Sequence, residues 1–190
     1  MRLLIIDNFD SFTYNLEQYA HRYCDNVDVK RNTEISIDEV DDYDAIIISP
    51  GPGLPSDAGI TPLVIERYSA TKKILGVCLG HQAIAESFGA NLQNLEEPLH
   101  GISISTSLTN VKDKIFDGIA NDFQTARYHS WVVEPSSIEN TELQITATDI
   151  NNQIQALKHK RYNVRSVQFH PESILTDGGM KMIENWILKC

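Results

Sequence analysis

A lone thiol between two glycines is the first residue of this chain whose setting suggests chemistry. Residues 76 to 80 read Gly-Val-Cys-Leu-Gly, after the strand-like run Lys73-Ile74-Leu75 and before the helix-like run His81 to Glu86. Cys78 therefore falls at a strand-to-helix turn, the cysteine counterpart of a nucleophile elbow, where small flanking residues let the backbone fold tightly. The positive end of the following helix favours a thiolate, which is the nucleophilic form of cysteine. The N–H of Leu79 would point towards an oxyanion formed at an attacked carbonyl. An unreactive cysteine buried as a small hydrophobe is the competing interpretation.

Partners for the thiol lie far downstream. Residues 164 to 172 read Val-Arg-Ser-Val-Gln-Phe-His-Pro-Glu, an alternating strand pattern that ends in His170-Pro171-Glu172. Pro171 biases His170 to an extended backbone, in which residues two apart share a side. The pattern thus predicts His170 beside Glu172, with the carboxylate on one imidazole nitrogen and the thiol on the other. Nucleophile, base and orienting acid are the three roles of a triad. A third segment, Ile46-Ile47-Ile48-Ser49-Pro50-Gly51-Pro52-Gly53, runs an apolar strand into a stiff turn. Such a turn can present backbone donors next to Cys78. Pro52 has no N–H, so the donor is Gly51 or Gly53.

On these segments the chain resembles a class I, triad-type glutamine amidotransferase domain. The resemblance runs from Leu3 to Leu16, through the Ser-Pro-Gly-Pro-Gly turn and Gly-Val-Cys-Leu-Gly-His-Gln, to Phe169-His170-Pro171-Glu172-Ser173. The string Asp7-Asn8-Phe9-Asp10-Ser11-Phe12-Thr13-Tyr14-Asn15-Leu16 and the triplet Tyr128-His129-Ser130 are similar to one branch of that family. That branch feeds ammonia to chorismate-using synthases: anthranilate synthase component II and the glutaminase of aminodeoxychorismate synthase. The resemblance implies a three-layer, flavodoxin-like α/β fold with a mostly parallel central sheet and a small antiparallel edge sheet. It implies Cys78 as nucleophile, His170 as general base and acid, and Glu172 as its orienter. It implies an oxyanion hole from the N–H groups of Leu79 and Gly51, with Gly53 as the second candidate. Glutamine would be held by the Gly51-Pro52-Gly53 turn, by Gln82 and by the backbone of Ser130 and Trp131.

Two positions depart from the family pattern: Trp131 where many relatives carry a smaller aliphatic residue, and Ile102 where many carry Lys. The second falls on a surface associated with the protein partner. The implied activity is hydrolysis of L-glutamine without a cofactor, and the implied partner is a chorismate-binding synthase subunit. The tryptophan and folate branches share every motif quoted, and the more common role, in anthranilate synthase, is the first expectation. A stand-alone thiol hydrolase and a non-catalytic descendant are the other function classes, both disfavoured by the intact motifs.

The elements that must position these residues follow from periodicity. Strand-like runs at about 2–6, 27–31, 44–49 and 73–77 alternate with helical patterns, which predicts a parallel sheet covered on both faces. The first helix is expected to start at Asp10 or Ser11, the second to run from Thr61-Pro62 to about Thr71, and the third from the elbow to Phe88-Gly89. Residues 100 to 105 alternate strictly. Residues 142–149 and 153–159 flank Ile150-Asn151-Asn152 as a hairpin. A last helix is expected from Gly178 to Leu188.

The 190 residues form one expected domain, 1–190, long enough to bury roughly 70% of its unfolded surface. A formal charge of −10 argues against nucleic acid or anionic membrane as a partner. Leu3 to Ile6 is too short for a signal-peptide core, and no later run could span a bilayer. Three cysteines, few and odd in number, suit a reducing cytoplasm. No spacing among Cys, His and acidic residues suggests a metal site.

Overall fold

A computed structural model describes residues 1–190. Strands β1 (Arg2–Asp7), β2 (Asn26–Arg31), β3 (Ala45–Ile48) and β4 (Lys73–Val77) alternate with helices α1 (Thr13–Ala20), α2 (Thr61–Tyr68) and α3 (Leu79–Ser87). Then come β5 (Leu92–Leu108), β6 (Asp122–Val133), β7 (Leu143–Asp149), β8 (Ile154–His159), β9 (Val164–Val167) and α4 (Gly179–Lys189). All nine strands join one sheet in the order β2-β1-β3-β4-β9-β8-β7-β5-β6. The first five in that order are mutually parallel, in the doubly wound arrangement of flavodoxin-like proteins. The last four continue antiparallel from β9.

The parallel strands are near-continuous apolar runs because both their faces are covered. Alternate side chains enter two separate cores. Leu3, Ile5, Ile47, Leu75 and Val77 meet Leu16 of α1 and Ile183 and Trp186 of α4 on one face. Leu4, Ile6, Ile46, Ile48 and Ile74 meet Val64 and Ile65 of α2 and Ile84 of α3 on the other. This yields three layers, as the sequence implies.

The expectation of a small, distinct antiparallel edge sheet is corrected. β9 pairs with β4 on one edge and with β8 on the other, so the antiparallel strands extend the same sheet. Alternation marks a strand but not the edge to which it attaches. The strand β6 and the first half of β5 also escape the periodicity, because Leu92–Leu99 breaks register against β6 and carries mixed burial. Helix α1 starts at Thr13 rather than at Asp10 or Ser11. Asp10 instead closes the preceding turn, its carboxylate accepting from the Phe12 N–H at 2.8 Å. Helix α2 stops at Tyr68, three residues before the expected end, in a turn whose Thr71 and Lys72 N–H groups return to the Tyr68 carbonyl. The β7–β8 hairpin forms as expected. Asp149 accepts from the N–H groups of Asn151 and Gln153, and Asn152 adopts φ 59°.

Candidate active site

The elbow is a strained backbone feature. Cys78 has φ 52° and ψ −101°, a conformation that costs a non-glycine residue free energy and clusters at functional sites. Its N–H donates to the Val167 carbonyl at 2.9 Å, which ties the end of β4 to the end of β9. The flanking glycines permit this approach. A Cβ on Gly76 would sit 2.4 Å from the Gly80 carbonyl oxygen, and one on Gly80 would sit 2.5 Å from that of Ile48. Helix α3 therefore lies against the sheet backbone with room for no side chain. The Leu79 N–H belongs to its first turn, whose donors have no intrahelical acceptor.

The Pro-Gly turn is held against this elbow by the residues that follow β1. Asn8 receives a bond at its Oδ1 from Thr61 Oγ1 (2.9 Å) and another from Asn32 Nδ2 (2.9 Å). Its own amide donates to the Ser49 carbonyl at 3.0 Å, and its N–H to Ser49 Oγ at 2.8 Å. This buried latch fixes the exit of β3. A Cβ on Gly51 would meet Asn8 at 2.6 Å and Leu79 Cδ2 at 2.8 Å, whereas Gly53, with φ 77°, faces open space apart from Asp57. Gly51 is thus the glycine packed against the elbow, and Gly53 is the one that turns the chain.

His170 Nδ1 lies 2.7 Å from Glu172 Oε1, both side chains buried. The pairing is as expected, but its backbone is not. After His170 the chain turns, with the Ser173 N–H returning to the His170 carbonyl at 3.2 Å, so Glu172 arrives through a turn and not along an extended strand. His170 Nε2 has no hydrogen-bond partner. Burial opposes its imidazolium form, but the neighbouring Cys78 and Glu172 negative charges outweigh burial and hold the His170 pKa well above its usual value. Phe12 and Tyr128 close around the ring, with centroids 5.5 Å and 4.9 Å away.

A cavity of about 150 Å³ opens at the elbow, lined by Gly51, Pro52, Gly53, Cys78, Gln82, Tyr128, His129, Ser130 and Trp131. It gathers the nucleophile candidate and every residue expected to hold substrate. His170, Glu172 and Leu79 stand outside its lining. Gln82 Nε2 donates to the Trp131 carbonyl at 2.8 Å, so that carbonyl is already occupied within the protein. A larger cavity of about 550 Å³ lies elsewhere, among Lys112, Asp113, Lys158 and Arg165. It holds no cysteine or histidine, and its Arg165 and Asp113 are paired with each other at 2.7 Å. Size does not mark the site; convergence of reactive groups does.

Four residues of this neighbourhood escape the sequence reading as site residues: Asn8, Tyr128, His129 and Gln168. Asn8, Tyr128 and His129 fall in the quoted family strings, but nothing in the pattern assigns them a task. The His129 side chain is buried without a partner on either ring nitrogen. Gln168 is two residues before His170, a spacing that could have placed it on the thiol.

Residues 4–190 match the family model of class-I glutamine amidotransferases. Anthranilate synthase component 2 of Pseudomonas aeruginosa is 42% identical over 192 residues, covering 97% of this chain and 94% of that one. Aminodeoxychorismate/anthranilate synthase component 2 of Bacillus subtilis is 40% identical over 187 residues, covering 97% and 95%. Among solved structures, a Thermoplasma acidophilum protein described as part of a GMP synthase superposes with a TM-score of 0.85 at 23% identity, over 98% of this chain and 92% of that one. That last likeness speaks to the fold alone. Matched along almost its entire length by the family model and by both relatives, the chain belongs to the class-I glutamine amidotransferases.

Proposed function

We propose that the chain hydrolyses L-glutamine to glutamate and ammonia through Cys78, His170 and Glu172, as the glutaminase component of a chorismate-using synthase. The observation that carries this reading is a strained thiol that opens on one small cavity and has a buried His170–Glu172 pair beside it. Sγ of Cys78 attacks the side-chain carboxamide carbon. The oxyanion is held by the N–H groups of Leu79 and Gly51, each worth roughly 3 kcal/mol in the barrier. Gly51 is preferred to Gly53 because it is the one packed on Leu79. His170, whose imidazolium form is favoured by Cys78 and Glu172, donates its proton to the departing nitrogen, which leaves as ammonia. It then takes a proton from water as that water opens the thioester to glutamate. Gln82 and the backbone of Ser130 and Trp131 hold the amino-acid end of the substrate.

Free ammonia is useful only where an acceptor awaits it. The relatives are named as second components of synthases, which supports a partner protein that binds chorismate. Anthranilate synthesis is the first assignment. Aminodeoxychorismate synthesis, alone or shared, is the second, supported by the double name of the Bacillus subtilis relative. No helix is long and apolar enough to cross a membrane. Residues 1–190 act as one domain, and the few, odd-numbered cysteines support a cytoplasmic setting.

Cys78→Ala tests the chemistry. Glutamine-dependent ammonia release is expected to fall at least about 10⁴-fold, while synthesis by the assembled complex from added ammonium chloride persists. Unchanged glutamine hydrolysis would overturn the reading. Co-purification of the partner, then product analysis with chorismate and glutamine, separates the two pathways.

A further inference from the structure

The thiol has a second buried neighbour besides His170. Gln168, fully enclosed at the end of β9, lies with Nε2 3.7 Å from Cys78 Sγ. Which end of that amide faces the sulfur follows from the surrounding bonds. The Trp131 carbonyl can only accept, so Gln82 must present its NH₂ group there, at 2.8 Å. The same NH₂ group donates its other hydrogen to Gln168 Oε1 at 3.3 Å. With Oε1 so engaged, Gln168 must turn its own N–H towards Cys78. A backbone carbonyl thus sets one amide, that amide sets a second, and the second offers a donor to the sulfur.

From this chain of bonds we infer that Gln168 is a further catalytic residue, a neutral hydrogen-bond donor that stabilises the Cys78 thiolate. The inference rests on the reading of Cys78 as nucleophile. When the thiol transfers its proton to His170 Nε2, the negative charge stays on a sulfur with 5% of the residue exposed, where water cannot solvate it freely. A fixed amide dipole aimed at that charge replaces the missing water and requires no reorganisation. It carries no charge of its own, so it favours the thiolate without raising the cost of protonating His170. The same relay reaches Gln82 in the substrate cavity, so the group that grips glutamine and the group that steadies the nucleophile are held by one network.

The experiment measures the pH dependence of Cys78 alkylation by iodoacetamide in the full chain, with a Cys78→Ser control to subtract reaction at Cys24 and Cys190. Gln168→Leu removes the donor at similar volume. The titrating neighbours of the thiol, His170 with Glu172 and His129 on β6, are unchanged between the two proteins. The half-reaction pH is expected to rise by about one unit, and kcat for glutamine to fall about tenfold at neutral pH. A folded Gln168→Leu variant with a superimposable alkylation profile overturns the inference, leaving Gln168 as packing. Where Gln168→Leu does not fold, Gln168→Met, unbranched and without a donor, is read in the same way. If Cys78→Ala instead retains glutamine hydrolysis, the assignment of the nucleophile itself falls, so the two failures are distinguishable.

Discussion

His170 and the pair His81 and His129 are all buried near the thiol, yet their protonation is driven in opposite directions. Burial lowers the pKa of His81 to about 3, helped by His129 and opposed by its hydrogen bond with Ser166. Burial likewise lowers His129 to about 3, reinforced by Arg127 and His170. His170 suffers the same desolvation and ends well above its usual value, because Cys78 and Glu172 place negative charge beside it. Enclosure alone therefore makes a neutral, inert imidazole. An acid–base group results only where anionic neighbours reverse the effect of burial. A neutral His129 also adds no positive charge beside His170, which a charged neighbour would push towards deprotonation.

Glu172→Gln attacks this contrast most directly. The variant keeps an acceptor for His170 Nδ1–H and removes only the charge. Turnover of glutamine is expected to fall about 10³-fold, and the His170 pKa to move down towards its ordinary value. A pH–rate profile and a titration of the His170 ring by NMR check both parts. Retention of more than half the activity would break the contrast. Linkage gives a second signature. A pKa raised by folding stabilises the native state fully below the unfolded value near 6.5, and that contribution is lost as pH climbs towards the folded value. In Glu172→Gln this alkaline loss should shrink.

The neutral histidines make the opposite prediction. The unfolded chain binds protons at His81 and His129 from about pH 6.5 downwards, whereas the native protein resists until about pH 3. Stability should therefore fall as pH drops through this window, by about 1–2 kcal/mol per imidazole at pH 5 relative to pH 7. His81→Asn, which retains a group able to reach Ser166, should flatten the acid limb by one such share while leaving glutamine turnover at pH 7 within about twofold. Urea midpoints from pH 5 to 8 decide it. An acid limb as steep as that of the parent would mean that His81 is not held neutral by its surroundings.

How much of this could be read from the residues depends on where each contact originates in the chain. The parallel half of the sheet was legible because Leu3–Ile6, Ile46–Ile48 and Ile74–Val77 are apolar on both faces and carry turn residues at their ends. Cys78 and Gly51 were legible because elbow and Pro-Gly turn constrain the backbone locally; the His170–Glu172 pair was legible from its residue types two apart, although the chain between them turns where an extended course was expected. The antiparallel half was seen only in fragments, since β5 is interrupted by bulges and β6 alternates between a buried ion pair and a cavity wall. Arg127 on β6 is fully buried against Asp149 at 3.5 Å, a polar residue in a core position that no hydrophobic pattern reveals. The relay from Trp131 through Gln82 and Gln168 spans three distant segments. Only the sheet order, which sets β9 next to β4, brings it together.

The smallest expected effect separates the charge of His170 from its orientation. Asp7 Oδ1 accepts from Thr13 Oγ1 at 2.8 Å and from the Asp10 N–H at 3.2 Å, and Asp10 in turn holds the Phe12 N–H. This bonded turn at the head of α1 sets the Phe12 ring against Tyr128 (5.2 Å) and edge-on to His170 (5.5 Å). Phe12 has no charge, so it restrains the imidazole directly and acts on its protonation only by excluding water, a smaller effect than that of the neighbouring anions. Aromatic contacts of this kind are worth about 0.5–1.5 kcal/mol each. Phe12→Ala should therefore lower kcat about three- to tenfold and leave the pH–rate profile in place, whereas Glu172→Gln moves both. A profile displaced by Phe12→Ala would show that packing, and not the neighbouring anions alone, sets the proton affinity of His170. The division between buried histidines would then rest on shape as well as on charge.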